Sequence, residues 1–465
     1  MSKCKVYYQL LNYAFNDSDN DGVGDFQGII DKLGYLVNLG VEGILLSPIH
    51  KAMSYHSYDV LDYYSINEAY GDFKELVNKC NENNIDVMMD LVLNHTGVEH
   101  EWFLSAVKYH LGLSDDGKYK DYYIFSLEEK NEPGWHYYVM DNKKIWFYGS
   151  FAHSMPDLNY NEDCLYDNDP IFNYMVDMCK YYIDMGVKGF RIDAAMHIYE
   201  LKQGIGDPCK NSKFFKAFCD AIHEYNNDIL VVGEVSLFDE TINEYSGIDS
   251  LFNFPLISEI GNIKGMLEKA KLMKNNKGFL YSNMISNHDY GVARITNRIK
   301  DEKELYMHAM LNILLPGIPF IYYGDEIGLI ANLKYRYEEY NSSYCDVLNR
   351  TMMPWDDMYI NSDLIVKNII LDGKNIIEEC ATVGTIYNKD IKEVLTENDN
   401  LYYWYKSLIE QRNKYKDIFS YGNVCNVYDD GFTIECNGSK IKIVIGEDGI
   451  IKNKYFSINI ERVSE

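Results

Sequence analysis

The sequence predicts an α/β protein built on a (β/α)8 TIM barrel, with a subdomain inserted after the third strand and a small antiparallel β domain at the C-terminal end. Three observations carry that expectation. Short apolar runs alternate with longer segments of helical period, the pattern of βαβ units that assemble a parallel sheet. Eight such runs can be counted, enough to close a barrel. One interval between them is far too long for a single crossover helix.

The runs fall at residues 6–10, 43–47, 85–93, 187–192, 229–233, a weaker one near 251–254, 279–285 and 318–323. Between Leu93 and Val187 lie roughly ninety residues, rich in aromatics (Trp102, Trp135, Trp146, Phe147, Tyr148) and broken by Pro133-Gly134 and Asn142, which marks an insertion. After the eighth run a variable stretch leads to a helical pattern at 401–415. Alternating segments follow, Phe432-Thr-Ile-Glu and Ile441-Lys-Ile-Val-Ile among them, as in antiparallel strands. The expected division is a first barrel part at 1–96, the insertion at 97–160, the rest of the barrel at 161–418 and the β domain at 419–465.

Composition excludes several classes of function. The 465 residues carry 44 Lys and Arg against 71 Asp and Glu, a net charge of -27 that repels phosphate backbones and anionic membrane surfaces. Nucleic acid and membrane are therefore not expected as partners. At 47% hydrophobic and 25% charged residues the chain is globular in type rather than disordered. Ten cysteines are scattered without a CxxC pair, so they read as reduced thiols rather than a zinc ribbon or a disulfide scaffold. No apolar export segment opens the chain, and no run reaches the roughly 18 apolar residues of a membrane helix, so a cytoplasmic location is expected. Nothing in the sequence speaks to the oligomeric state.

In a barrel of this kind the chemistry sits at the carboxyl ends of the strands. Four runs end in polar residues: Asp90-Leu-Val-Leu-Asn94-His95, Arg191-Ile-Asp193-Ala-Ala-Met-His197, Gly233-Glu234 and Ser286-Asn287-His288-Asp289. Taken singly, each has a plain structural explanation as a helix cap or a hydrogen-bonded core group. Together they form a constellation. Arg191 and Asp193 are two apart on a strand and point to the same side, where the guanidinium keeps the carboxylate ionised, as a nucleophile requires. Glu234 follows an apolar run, where burial and nearby acids raise its pKa and make it a proton donor. Two carboxyls with split roles suggest glycoside hydrolysis. The retaining form of that reaction holds them about 5 to 5.5 Å apart, one as nucleophile and the other as acid and then base.

In this order and spacing the four segments resemble the conserved regions of the α-amylase family (glycoside hydrolase family 13), over nearly the whole chain from Val6 to about Ile418. The resemblance implies that Asp193 is the nucleophile, Glu234 the general acid/base and Asp289 the acid that binds sugar hydroxyls and stabilises the distorted transition state. It implies that His95, Arg191 and His288 line the subsite of the glucose under attack. Ser54-Tyr-His56-Ser-Tyr58-Asp59 looks like the family segment whose tyrosine, here Tyr58, stacks on that sugar. Met155-Pro156-Asp157-Leu158-Asn159 resembles the family's fifth region, whose leading Met is found in α-amylase-like and neopullulanase-like members. Arg350-Thr-Met-Met-Pro-Trp355 resembles a further family segment.

Asp17, Asp19, Asp21 and Asp25 are spaced like calcium-binding oxygens, with Gly22 at the turn. An EF-hand is excluded because its twelfth place is Gly28 and the loop follows a strand. The segment instead looks like the calcium loop after the family's first barrel strand, which implies Asp17, Asp19, Asp21, Asp25 and the Val23 carbonyl as ligands of a structural Ca2+. Two departures bear on specificity. The basic pair that contacts sugars on the leaving-group side in many relatives is here Met196-His197, which leaves His197 as the contact. The arginine usual three places after His-Asp appears only as Arg294. The resulting expectation is a retaining α-amylase-type hydrolase of α-1,4 bonds in maltodextrins or starch fragments, with an α-glucan oligosaccharide as partner. An exo-acting α-glucosidase or a transglycosylase with the same acids is the alternative. A binding-only barrel is disfavoured because all three acids are present.

Overall fold

The computed structural model describes residues 4–161, 169–275, 278–289, 292–330, 349–355, 370–371, 374–375 and 384–463. Eight parallel strands close into a barrel: Tyr7–Leu10, Gly43–Leu46, Asp86–Leu91, Gly189–Ile192, Leu230–Gly233, Ser250–Phe252, Leu280–Asn283 and Ile318–Tyr322. Each lies within or against one of the eight apolar runs, including the weak sixth. Neighbours in sequence are neighbours in the barrel, and the first strand pairs with the eighth at Tyr7 and Phe320.

Apolar side chains fill the barrel on both sides of its wall. Tyr7, Leu45, Met88, Val232 and Phe320 form the interior plug, with Tyr7 stacked on Phe320 at 5.1 Å, while the opposite faces of the strands pack under the helices. Two crossover helices begin alike. Asp169 caps Pro170–Met185 and Asp207 caps Pro208–Tyr225, each carboxylate accepting from two backbone N–H groups, with Pro in the first turn where no donor is missed.

The insertion after the third strand contains the helix Glu101–His110 and a three-stranded antiparallel sheet of Phe125–Ser126, Lys143–Tyr148 and Trp135–Met140. Its return leg is tied back by bridges between His95 and Asp157 and between Tyr123 and Leu158. That pairing brings the Met155 to Asn159 segment to the barrel mouth. A short hairpin, Glu200–Lys202 with Ile205–Gly206, rises after the fourth strand to meet the same sheet.

At the other end of the chain, Leu401–Lys414 leads into a five-stranded antiparallel sheet spanning residues 423–463, with Phe432, Ile434, Ile441, Ile443 and Ile458 on its buried face. Arg412 anchors this region to the barrel. It is buried and donates to the carbonyls of Ile313 at 2.6 Å and Leu315 at 3.2 Å. Among the described residues no helix is long and apolar enough to cross a membrane. Cys4, Cys80, Cys179, Cys209, Cys219, Cys425 and Cys436 are in no disulfide; Cys164, Cys345 and Cys380 lie outside the described residues.

Candidate active site

Strand register assembles the centre of the site. Asp90 on the third strand pairs directly with Arg191 on the fourth, so both side chains leave the sheet at one level and on one side. Two residues on, the chain passes Asp193, whose N–H donates to Leu91 O, and Glu234 follows the fifth strand with its N–H on Ile192 O. The consequence is one guanidinium among three carboxylates. Arg191 Nη1 lies 2.7 Å from Asp90 Oδ1 and 2.6 Å from Asp193 Oδ1, and Nη2 lies 2.7 Å from Glu234 Oε2. Glu234 also accepts from the N–H of Ala194 at 2.9 Å. Ala194 holds a left-handed conformation (φ 46°, ψ 36°), an unfavourable backbone state for a side chain, and that turn aims its N–H at Glu234.

One cation cannot balance three clustered acids. Burial pushes Asp90 up to about 6, with Arg191 pulling it down and Glu234 pushing it up. Asp193 rises well above the usual carboxylate range for the same reasons: burial first, opposed by Arg191, reinforced by Glu234 and Asp90. This corrects the expectation that Arg191 simply keeps Asp193 ionised, because the guanidinium is shared. Arg191 is also 2% exposed and does not line the cavity; it sits behind the acids, where the sequence had placed it against sugar. Glu234, expected after an apolar run with acids nearby, has those acids beside it but is partly exposed and ion-paired to Arg191.

Asp193 and Glu234 open onto a cavity of about 610 Å³. On one side Tyr58 stacks on His288, with centroids 5.8 Å apart, and its hydroxyl lies 2.8 Å from His288 Nε2 and 3.1 Å from Asp90 Oδ2. Asp289 stands at the lip, more exposed than the other acids, with Arg350 Nη2 3.7 Å away. His95 is buried and neutral, its pKa lowered to about 3 by burial, and its Nε2 has no protein partner among the described residues. It is an open hydrogen-bonding position in the wall. On the other side are Phe151, Met155 and His197, with the rings of Phe151 and His197 4.9 Å apart.

Every residue expected for catalysis or sugar contact converges here except Arg191, which supports from below. Asp90 and Arg350 belong to segments singled out in the sequence without a role. The signal for Asp90 is that it sits inside an inward-facing stripe next to Arg191. Tyr55 and His56 flank Tyr58 in the wall, and Arg350 Nη1 reaches the Tyr55 hydroxyl at 3.1 Å. Phe151 carries no sequence signal beyond being an aromatic near the fifth region. Arg294 is elsewhere: fully buried, it donates to Tyr323 O at 2.6 Å and lies against the rings of Tyr322 and Tyr323.

The acidic loop lies apart from this cavity and follows a one-turn helix, Asn12–Phe15, rather than the strand itself. One carboxylate oxygen from each of Asp17, Asp19 and Asp21 comes within 4.8 Å of the others, a donor set that fits a hard, oxygen-seeking cation. Burial raises the pKa of Asp17. Val23 donates its N–H to Asp21 Oδ1 at 2.7 Å. Asp25 differs from its expected part: Oδ1 caps the next helix through Gly28 N–H at 2.6 Å and Oδ2 accepts from Ser18. Gly28, which stands where an EF-hand has its Glu, has a packing reason, since a Cβ there would lie 2.0 Å from Asn16 O.

Comparison with known proteins agrees with this geometry. Residues 9–422 match the alpha-amylase catalytic domain family. The chain is 31% identical over 479 residues to Alpha-amylase 3 of Dictyoglomus thermophilum, covering 96% of this chain and 92% of that one. It is 33% identical over 350 residues to the 4-alpha-glucanotransferase of Thermotoga neapolitana, covering 70% and 72%, and 29% identical to the oligo-1,6-glucosidase of Bacillus cereus, covering 90% and 85%. Among solved structures, the α-amylase from H. orenii superposes with a TM-score of 0.73 at 29% identity, covering 96% and 90%.

Proposed function

Because this chain belongs to the alpha-amylase family of glycosidases, we propose that it is a retaining hydrolase of α-1,4-glucosidic bonds in maltodextrins or starch fragments, of the α-amylase type. The observation that carries the reading is the group of Asp193 and Glu234 on one guanidinium at the wall of a cavity edged by Tyr58, His95, His288 and Asp289. Such walls suit a pyranose, whose apolar face meets a ring while its hydroxyls meet neutral imidazole and carboxylate.

In this reading Asp193 attacks the anomeric carbon as the glycosidic C–O bond breaks, and Glu234 gives its proton to the departing oxygen. Arg191 Nη2 and the Ala194 N–H both hold Glu234 Oε2, which fixes this carboxyl at the cavity wall for the transfer. Water then adds to the anomeric carbon, returns a proton to Glu234 and frees Asp193. Asp289, held beside Arg350, binds sugar hydroxyls as the ring flattens.

The test is the product pattern from maltoheptaose at short times. Mixed shorter maltodextrins are the expected result. Glucose alone would replace this reading with exo action, longer chains would replace it with transfer, and no product would overturn it. A second reading, exo action, draws on the Tyr55 and Arg350 pair that walls the cavity beyond Asp289.

We assign the acidic loop to a structural calcium ion, held by Asp17, Asp19 and Asp21 with the Val23 carbonyl as a further oxygen, while Asp25 caps the next helix. The ion would offset two of the three clustered negative charges and fix the loop after the first strand. Millimolar calcium is expected to raise the melting temperature by several degrees and EDTA to reverse it; Asp19→Asn should shrink the calcium response. A melting temperature indifferent to both would sink the assignment.

A further inference from the structure

Beside the catalytic cavity lies a second one of about 660 Å³, between the inserted sheet and the hairpin after the fourth strand, and His197 lines both. What holds His197 in that shared wall is Glu200. Its carboxylate is nearly buried and collects four donors from three parts of the chain. Oε1 accepts from His197 Nδ1 at 2.5 Å, Ser150 Oγ at 2.7 Å and Gly204 N at 3.1 Å, and Oε2 accepts from the Tyr148 hydroxyl at 2.6 Å. Gln203 adds a bond from its side chain to Ser150 O at 3.1 Å. The same carboxylate thus joins the hairpin, the inserted sheet and the imidazole.

We infer that Glu200 is a positioning residue, which fixes the His197 ring between the two cavities and thereby sets the binding of sugar on the leaving-group side of the cleft. The side follows from connectivity on the page. His197 ends the short turn that starts at Ala194, whose N–H is on Glu234, and Glu234 is the group that faces the leaving oxygen in the proposed reaction. Tyr58, His288, Asp289 and Arg350 occupy the other end. With Nδ1–H directed to Glu200, Nε2 is left to meet a sugar hydroxyl. A ring free to rotate about its side-chain bonds would offer that contact only part of the time.

The inference rests on the glycosidase reading, and the experiment separates the two. Maltoheptaose places sugar on the His197 side; α-maltosyl fluoride, whose leaving group is an ion, does not. Glu200→Ala is expected to raise KM for maltoheptaose about tenfold with little change in kcat, and to leave turnover of α-maltosyl fluoride as in the wild type. Glu200→Gln keeps a carbonyl oxygen for the His197 and Ser150 donors and should restore most of the loss. Combining Glu200→Ala with His197→Ala should be no worse than His197→Ala alone. Equal losses on both substrates, additive losses in the double variant, or no change in KM would each overturn the inference. Should Glu200→Ala fail to fold, Glu200→Asp, one methylene short of its donors, should show the same split in weaker form. A wild type inactive on both substrates would refute the glycosidase reading itself. The 15N shifts of labelled His197 would still decide the hold of Glu200: a proton fixed on Nδ1 in the wild type and lost in Glu200→Asp supports it, and identical spectra refute it.

Discussion

Asp193→Asn is expected to lower kcat on maltoheptaose by on the order of 10^4-fold or more while leaving the fold intact. The asparagine oxygen can still accept from Arg191 Nη1, so the 2.6 Å contact survives, but an amide cannot form the glycosyl ester. Stability should move the other way. Burial and two neighbouring acids disfavour the charge on Asp193, and its removal leaves Arg191 with Asp90 and Glu234 only. At pH 7.5 the variant should therefore melt no lower than the wild type. Retention of more than a few per cent of turnover would refute Asp193 as nucleophile; a melting temperature several degrees lower would refute the crowded-charge account.

Replacing Arg191 by Met should have the largest structural effect of any single change at the site. It leaves three carboxyls with no cation, and breaking such a buried arrangement by removing one partner costs about 3 to 5 kcal/mol. The cost should depend on pH with a definite sign. In the wild type, Asp90 and Asp193 have folded pKa values raised above their unfolded ones, so their contribution is fully present below about pH 4. That contribution is lost as pH rises through the folded values, which for Asp90 is about 6. Without Arg191 the folded values climb further, so the deficit of the variant in urea unfolding should be small near pH 5 and grow toward pH 8. A deficit independent of pH would mean that Arg191 acts by packing rather than charge.

Much of this was legible in the chain. Short apolar runs set between segments of helical period located all eight barrel strands, because each strand must be buried on both faces. The polar residues just past four of those strands converge because parallel strands end on one face of a closed barrel. The acidic loop was legible from oxygen spacing, though Asp25 proved to be the cap of a helix that begins at Phe26. What the sequence could not show was competition. Two-residue spacing gives Arg191 to Asp193, yet register puts Asp90 opposite it and the barrel's curvature brings Glu234 to its other nitrogen.

The amino-acid sequence by itself determined the architecture, the family and the identity of the groups that meet at the barrel mouth, since these follow from periodicity and from which residue types end each strand. Tertiary structure alone decided how the charges are shared, because Coulomb energy and desolvation depend on distances between residues 40 to 101 positions apart, as in Ala194 with Glu234 and Asp90 with Arg191. It alone decided that Glu200, an unremarkable acid on a two-stranded hairpin, is the point where the hairpin, the inserted sheet and His197 meet. No local pattern encodes that junction; it exists only when segments far apart in the chain are packed against one another.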